Sequence, residues 1–257
     1  MNHPWTAALV TGASSGIGEA MARQLGAAGV ATVAVARRGD RLDALAAEYA
    51  CIEVLTADLQ TEKGRAAVVA RLSDPARPID LLVNNAGFGV DGSFAETPID
   101  RHLAMIELNV SALVTLSHAA LQGMVARGRG WLLQVSSVVS FQAAPTSATY
   151  AATKAFVTNL TESLSEELRG TGVRVSALCP GATRTEFFDV SGSAAETSRL
   201  PAAAWMSADA VAAAGLAAMA AGRVIEVPGV LNKAWTAMSQ ALPRSLVRWT
   251  AGQVTRR

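Results

Sequence analysis

The sequence contains few cysteines and few histidines. Two cysteines among 257 residues exclude a disulfide framework, and we expect Cys51 and Cys179 to be reduced thiols of an intracellular protein. Cys179 ends an apolar run with no partner base in view, which predicts a buried thiol rather than a nucleophile. His3, His102 and His118 lack the spacing of metal ligands, so we predict no metal site.

The sequence also lacks an excess of one charge sign and any long apolar run. It contains 22 Lys and Arg residues and 21 Asp and Glu residues, and this balance argues against a nucleic-acid-binding domain. A 51% share of hydrophobic residues excludes general disorder. The first residues do not resemble a secretory signal, and no stretch approaches the roughly 20 apolar residues of a membrane span. We therefore expect a cytoplasmic protein.

Short apolar runs alternate with helix-like segments along the whole chain. This alternation is typical of βαβ units, and it predicts one α/β domain over residues 1–257. The domain is expected to hold a doubly wound, mostly parallel sheet with helices on both faces. The seven predicted strands are residues 6–11, 31–36, 51–57, 81–84, 130–136, 173–179 and 224–227.

A glycine-rich segment joins the first predicted strand to the first helix. Residues 11–18 read Thr-Gly-Ala-Ser-Ser-Gly-Ile-Gly, with glycines at positions 12, 16 and 18. Such a turn lets a pyrophosphate approach the backbone and the positive end of a helix dipole. The alternative is an ordinary strand–helix turn, but the position at the first βα junction favours a dinucleotide site.

Two arginines follow the second strand, where NAD enzymes usually carry a carboxylate. Arg37 and Arg38 stand there, and the first carboxylate is Asp40. Guanidinium groups bind a 2′-phosphate that a carboxylate would repel, so NADP(H) is favoured over NAD(H). The alternative is that both arginines are solvated loop residues. Asp58, after the third strand, is placed to meet the adenine, and residues 84–87 would border the same crevice.

A tyrosine and a lysine lie one helical turn apart in the second half of the chain. Tyr150 and Lys154 share a helix face, and the ammonium is expected to lower the tyrosine pKa. Tyr150 is therefore a candidate general acid or base. Ser137 can hydrogen-bond a substrate carbonyl, and Asn109 is a polar residue in an apolar helix. Each alone has another interpretation: a surface pair, a turn residue, or a satisfied core amide.

Together these motifs resemble the short-chain dehydrogenase/reductase family over about residues 6 to 230. The resemblance also rests on Pro180-Gly181 followed by Thr185. It implies a Rossmann fold and hydride transfer between a nicotinamide and a carbonyl or alcohol carbon. Tyr150 would move the proton, Ser137 would orient the oxygen, and Lys154 would hold the nicotinamide ribose and lower the Tyr150 pKa. Asn109 would anchor a water linked to Lys154.

The same resemblance implies a set of cofactor contacts. Thr183 by its backbone and Thr185 by its side chain would hold the carboxamide. In this family the residue before the middle glycine is often basic, and here it is Ser15, so NADP preference rests on Arg37 and Arg38. The implied cofactor-binding residues are Gly12, Ser14, Ser15, Gly16, Ile17, Gly18, Arg37, Arg38, Asp58, Leu59, Asn85, Ala86, Gly87, Tyr150, Lys154, Pro180, Gly181, Thr183 and Thr185.

Two other functions stay open at this point, as does the oligomeric state. A redox sensor or scaffold on the same fold would bind NADP without turnover, although such proteins typically lose the tyrosine or the lysine. An alcohol dehydrogenase would work oxidatively with NAD. The resemblance suggests a homodimer or homotetramer through the helices that carry Asn109 and Tyr150.

The substrate is expected to be an apolar ketone, aldehyde or alcohol. The family places specificity in a loop after Thr185, here about residues 185–206. No Arg or Lys is expected at a position where it would bind a substrate carboxylate. The candidate lining residues are mostly apolar: Phe88, Val90, Gln142, Ala143, Phe187 and Phe188.

Residues 231–257 form a basic extension that predicts two further helices. It has no acidic residue and five cations, namely Lys233, Arg244, Arg248, Arg256 and Arg257. Its apolar face consists of Trp235, Leu242, Leu246, Trp249 and Val254. A basic amphipathic helix with Trp can bind an anionic membrane surface. Because the apolar face is short, we favour packing on the subunit's own core or on a neighbouring subunit.

Overall fold

A seven-stranded parallel sheet forms the centre of the computed structural model, which describes residues 4–192 and 201–255. The sheet order is β3-β2-β1-β4-β5-β6-β9, and a separate two-stranded pair joins β7 to β8. Because β1 pairs with both β2 and β4, the direction of winding changes beside β1. The strands are β1 (Ala7–Thr11), β2 (Ala31–Ala36), β3 (Ile52–Thr56), β4 (Leu81–Asn84), β5 (Gly130–Val135), β6 (Val173–Leu178), β7 (Thr183–Arg184), β8 (Met206–Ser207) and β9 (Ile225–Glu226).

Helices cover both faces of this sheet. Strand β1 shows why: Ala8 and Val10 point into one hydrophobic core, and Leu9 points into the other. These two cores confirm the predicted doubly wound α/β fold. The helices are α1 (Gly16–Ala27), α2 (Gly39–Glu48), α3 (Glu62–Leu72), α4 (Ile99–Ile106), α5 (Leu113–Ala126), α6 (Ala148–Glu167), α7 (Phe187–Ser191), α8 (Ala208–Ala220), α9 (Val230–Ala241) and α10 (Arg244–Thr255).

The observed elements differ from the predicted ones where the sequence pattern is shortest. One π-helical segment, Glu107–Ala112, interrupts the long helix predicted from residue 99. Strand β9 has two residues instead of the four predicted. The pair of β7 and β8 was not predicted, because two-residue strands carry no periodicity. This pair brackets the predicted substrate loop, of which residues 193–200 lie outside the described residues.

The helical run from α4 to α5 is longer and more apolar than expected. By length and composition, Ile99–Ala126 could cross a membrane, and 44% of its most apolar stretch is buried inside the fold. Leu113, Leu116 and Met124 belong to the buried side that packs on the sheet. A core helix of a globular protein passes the same test, so the run is weak support for a membrane span.

The basic extension forms α9 and α10, in agreement with the two helices predicted. Four of its five predicted apolar side chains do not pack on the subunit's own core, which was one of the two expected positions, and contact with a neighbouring subunit stays a prediction. Trp235 is 45% exposed and Trp249 is 62% exposed, while Leu242 and Leu246 are exposed too. Arg256 and Arg257 lie outside the described residues, and the side chain of Val254 is not described.

Candidate active site

A cleft of about 780 Å³ opens at the carboxyl ends of β1, β2, β4, β5 and β6. Open α/β sheets bind their ligands at this edge, beside the change in winding. The cleft brings together nearly all of the predicted site residues, from Gly12 to Thr185. Gly18 and Asn109 do not line it, and neither do Gln142 and Ala143 of the predicted substrate wall.

The glycine-rich turn is held against the end of β4 by hydrogen bonds. Gly12 has a φ of +68°, a conformation that favours glycine. The Asn85 Nδ2 donates to the Thr11 carbonyl at 2.9 Å, and a side chain on Gly18 would collide with this amide. Gly18 therefore serves the close approach of turn and strand, and Gly12 lines the cleft itself.

The N-terminus of α1 faces the cleft without a side-chain cap. Ser15 occupies the N-cap position, but its hydroxyl makes no capping hydrogen bond. Ser15, Gly16 and Ile17 all line the cleft. Uncapped N–H groups and the helix dipole favour an anion at this position, so the turn fits the pyrophosphate of a dinucleotide.

Arginines surround the position where the second strand ends. Ala36 leaves β2 without a carboxylate, and Arg37 is exposed and forms no side-chain ion pair with any residue in the described ranges. The Arg38 guanidinium donates to the Ser14 hydroxyl at 3.1 Å. The end of β2 therefore has the residues on which the predicted NADP preference rests, and that preference stays a prediction.

A carboxylate from the far side of the cleft holds two of the arginines. Glu186 accepts from Arg38 at 2.9 Å and from Arg41 at 2.7 Å. These hydrogen bonds lower the pKa of the Glu186 carboxyl below its usual value. Sequence reasoning missed Arg41 and Glu186. In the sequence, Arg41 was marked only by its position one helical turn after Arg38. No sequence feature marked Glu186.

The adenine side of the cleft has the predicted residues in place. Asp58 and Leu59 follow β3 and line the cleft, and Leu59 is buried. The Asp58 carboxylate accepts from the Gln60 backbone N–H at 3.0 Å, which fixes the turn after the strand. The turn thus holds Asp58 at the edge of the crevice.

Ser137, Tyr150 and Lys154 meet at the centre of the cleft. Ser137 follows β5, and its hydroxyl, which donates to the Pro180 carbonyl at 3.4 Å, lies near the Tyr150 phenol and lowers the pKa of that phenol. The Lys154 Nζ donates to the Val135 carbonyl at 2.8 Å and lies 5.8 Å from the centre of the Tyr150 ring. Helix α6 provides both Tyr150 and Lys154, so their one-turn spacing sets their distance.

The pKa of Tyr150 moves in the direction opposite to the one expected. Burial raises it to about 12, and the nearby Ser137 hydroxyl opposes this rise. Burial also disfavours the ammonium of Lys154 and lowers the Lys154 pKa to about 8. At neutral pH Tyr150 is therefore a phenol, which is the form that donates a proton.

Asn109 lies on the π-helical segment and does not reach the cleft. Its side-chain oxygen accepts from the Phe88 N–H at 3.1 Å, and its Nδ2 donates to the Phe88 carbonyl at 3.0 Å. The Nδ2 also donates to Thr153 at 3.2 Å. The Asn109 side chain thus joins the segment after β4 to α6, which carries Tyr150.

Asn84, predicted to border the crevice, is buried within the sheet. Its Nδ2 donates to Ser117 at 2.9 Å and to Gln134 at 3.0 Å. The crevice is lined instead by the three residues that follow it, Asn85, Ala86 and Gly87. Asn84 therefore stabilises the contact between β4, β5 and α5.

The segment after β6, predicted to hold the nicotinamide, lines the cleft. Pro180, Gly181, Thr183 and Thr185 all line it. The Thr183 hydroxyl donates to the Gly181 carbonyl at 3.0 Å, and the Thr185 hydroxyl accepts from the Phe187 N–H at 3.3 Å. These bonds fix the turn that leads from the cofactor side to the substrate side.

The substrate side of the cleft has an aromatic wall. Ring centres lie 5.4 Å apart for Tyr150 and Phe187, 5.6 Å for Phe187 and Phe188, and 5.1 Å for Phe188 and Trp205. Phe88 and Val90 line the cleft nearby, as predicted. Arg101 of α4 also lines the cleft, and sequence reasoning did not name it.

The remaining candidate groups have no direct part in this cleft. Cys179 is fully buried after β6, and burial raises the pKa of its thiol to about 11, as suits a structural thiol. Within residues 4–192 and 201–255, no three His, Cys, Asp or Glu side chains cluster closely enough to hold a metal ion.

Known proteins are similar to this chain in sequence and in fold. A family model described as short chain dehydrogenase matches residues 6–195. Sulfoacetaldehyde reductase 2 of Chromohalobacter salexigens is 38% identical over 185 residues, which cover 70% of this chain and 73% of that protein.

Solved structures agree with the family match. A short-chain dehydrogenase from Sphingobium yanoikuyae in complex with NADPH is 35% identical, with a TM-score of 0.80 over 93% of this chain and 97% of that one. The bulky-bulky ketone specific alcohol dehydrogenase from Comamonas testosteroni is 32% identical, with a TM-score of 0.78 over 92% and 91%. The chain therefore belongs to the short-chain dehydrogenase/reductase family of oxidoreductases.

Proposed function

We propose that this oxidoreductase reduces bulky apolar ketones or aldehydes with NADPH. One observation carries the proposal: Ser137, Tyr150 and Lys154 line one cleft, with the Lys154 Nζ 5.8 Å from the centre of the Tyr150 ring and the Phe187 ring 5.4 Å from it on the apolar side. The nicotinamide supplies the hydride when it is bound. The residues described below donate the proton, orient the carbonyl oxygen and provide positive charge.

Tyr150 donates the proton to the carbonyl oxygen as the alcohol forms. The phenol is protonated at neutral pH, which is the form that can donate this proton. Ser137 hydrogen-bonds the same oxygen and orients it toward the phenol. Lys154, fixed by the Val135 carbonyl, holds a positive charge below the phenol while the pH stays under its pKa of about 8.

The preference for NADPH rests on the end of β2. Ala36 offers no carboxylate to a ribose 2′-hydroxyl, whereas Arg37 and Arg38 offer guanidinium groups to a 2′-phosphate. The NADPH complex of the Sphingobium protein supports this choice. The presence of both Tyr150 and Lys154 disfavours a sensor or scaffold without turnover.

The aromatic wall argues for a large apolar substrate. Phe187 and Phe188 line the cleft beside Tyr150, and Trp205 packs edge-to-face against Phe188, so the reacting oxygen has apolar surface on one side. The Comamonas protein is described as specific for ketones with two bulky substituents. Its similarity supports the same substrate class here.

A small anionic aldehyde is the second candidate substrate. Arg101 lines the cleft and could hold a carboxylate or sulfonate. The Chromohalobacter relative is named for sulfoacetaldehyde. The wall next to Tyr150 is apolar, with Phe187 and Phe188, so we place this substrate second.

Substrate class is tested by following NADPH oxidation with two carbonyl panels. We expect turnover of diaryl and long-chain ketones, and a loss of roughly 100-fold or more in the Tyr150→Phe variant. Arg101→Gln should leave these rates unchanged. Turnover of sulfoacetaldehyde that depends on Arg101, with no turnover of the apolar panel, would establish the second candidate instead.

We also propose a cytoplasmic homodimer. The helices predicted for the interface carry exposed apolar side chains, among them Leu103 and Val114 on α4 and α5 and Phe156 on α6. The free thiols of Cys51 and Cys179 fit a reducing compartment. Sedimentation of Leu103→Glu against the native chain tests the interface, and an unchanged mass would refute it.

A further inference from the structure

Helix α9 is amphipathic with its polar side turned toward the protein. Thr236 and Ser239 are buried, and Asn232 donates to the Pro228 carbonyl at 2.8 Å. The opposite side carries an apolar stripe that continues into α10, and all of its members are exposed. The stripe consists of Leu231, Trp235, Met238, Leu242, Leu246 and Trp249.

Specific contacts fix this orientation of α9. The carboxylate of Glu226, buried at β9, pairs with Lys233 at 3.3 Å. The Trp235 Nε1 donates to the Gln142 side chain at 3.0 Å on the other side of the helix. The stripe is therefore held outward by bonds at both flanks of α9.

The charge around the stripe has one sign. Arg244 and Arg248 are exposed on α10, and no acidic residue follows Glu226 in the sequence. A symmetric contact between two copies of this face would bring like charges together, which is unfavourable. An anionic surface instead complements both the cations and the apolar stripe, and Trp favours the boundary between lipid and water.

We propose that the stripe docks on the surface of an anionic phospholipid bilayer. Its apolar side chains enter the headgroup region, and Arg244 and Arg248 contact lipid phosphates. The stripe begins beside the cleft: Asn232 lies against Gly181, and Gln142 follows the turn whose residues Val138 and Val139 line the cleft. Docking would place the cleft near the lipid surface, where apolar carbonyl compounds concentrate; this consequence rests on the proposed function.

The test is cosedimentation of the full chain with vesicles, without any substrate. We expect binding to vesicles of equal parts phosphatidylglycerol and phosphatidylcholine, weaker binding in high salt, and little binding to phosphatidylcholine alone. The double variant Arg244→Gln/Arg248→Gln should bind roughly 30-fold more weakly. The matched control Lys63→Gln/Arg169→Gln removes two exposed cations elsewhere and should bind like the native chain.

The apolar part is tested by Leu246→Ser/Trp249→Ser, which should weaken vesicle binding at least roughly tenfold. Thermal unfolding of each variant shows whether the fold is kept. The proposal is overturned if the native chain does not bind anionic vesicles. It is equally overturned if these variants change the sedimenting mass but not vesicle binding, since the stripe would then be a contact between copies. Because no turnover is measured, failure here leaves the proposed reaction untouched.

Discussion

At the scale of single residues, Lys154 shows a conflict between stability and function. The side chain is only 5% exposed, and its burial lowers the pKa to about 8. An ammonium with this pKa destabilises the folded chain below pH 8, since the unfolded chain binds the proton more tightly. Where a functional residue destabilises the fold in this way, its replacement can stabilise the protein and remove the activity.

Replacement of this lysine should therefore stabilise the protein. We expect Lys154→Met to raise the free energy of unfolding by about 2 kcal/mol at pH 7, after the lost hydrogen bond to Val135 is subtracted. The folded pKa lies below the unfolded one, so the penalty in the native chain fades as pH rises from about 8 toward 10.5. The stabilisation of Lys154→Met relative to the native chain should therefore become smaller over that pH range.

Urea unfolding of both chains at neutral and alkaline pH measures this difference, and NADPH oxidation measures the accompanying loss of activity. Thr158→Val, which changes a neighbouring buried polar residue without changing charge, is the control for the pH dependence. A destabilised Lys154→Met variant, or a gain independent of pH, would contradict the role assigned to burial.

At the scale of elements, one ion-pair cluster joins α2 to the start of the substrate loop. Glu186 precedes α7 and pairs with Arg38 and with Arg41 of α2. All three side chains are exposed by more than a third, so the pairs add little stability. Their effect is on binding, because a cofactor phosphate must compete with the Glu186 carboxylate.

Removal of that competitor should strengthen NADPH binding. We expect Glu186→Gln to lower the Kd for NADPH roughly fivefold, since each exposed pair is worth less than about 1 kcal/mol. The Kd for NADH should not change. Fluorescence titration measures both values, with Glu62→Gln on α3 as a distant control, and weaker NADPH binding in Glu186→Gln would refute the competition.

The predictable parts of the site were those encoded locally. The glycine turn and the Tyr150–Lys154 pair have fixed spacings within one element, so the sequence predicts them directly. Glu186 and Arg41 are 145 residues apart and meet only through the fold. For α9, the spacing of Leu231, Trp235 and Met238 indicates a stripe. It does not show that the stripe faces outward, because that direction depends on contacts with Gln142 and Glu226.

At the scale of the whole molecule, cofactor binding should stabilise the native state. Ligands that bind only the folded chain raise its unfolding temperature according to concentration and Kd. We expect NADPH to raise the Tm more than NADH at equal concentration, and Arg37→Ala to remove much of that difference. Thermal shift measurements with Arg169→Ala as the control test this, and an equal shift with both cofactors would refute the NADP preference.

The pairing of β1 with β4 also has a consequence for how the chain folds. The Thr11 hydroxyl accepts from the backbone N–H groups of Asn85 and Ala86, each at 3.0 Å. The glycine turn is thus complete only when a strand about seventy residues later has inserted beside β1. Contacts so distant in sequence form late. During synthesis, the first helical units can collapse early, but NADPH can act as a folding ligand only after the central strands have emerged.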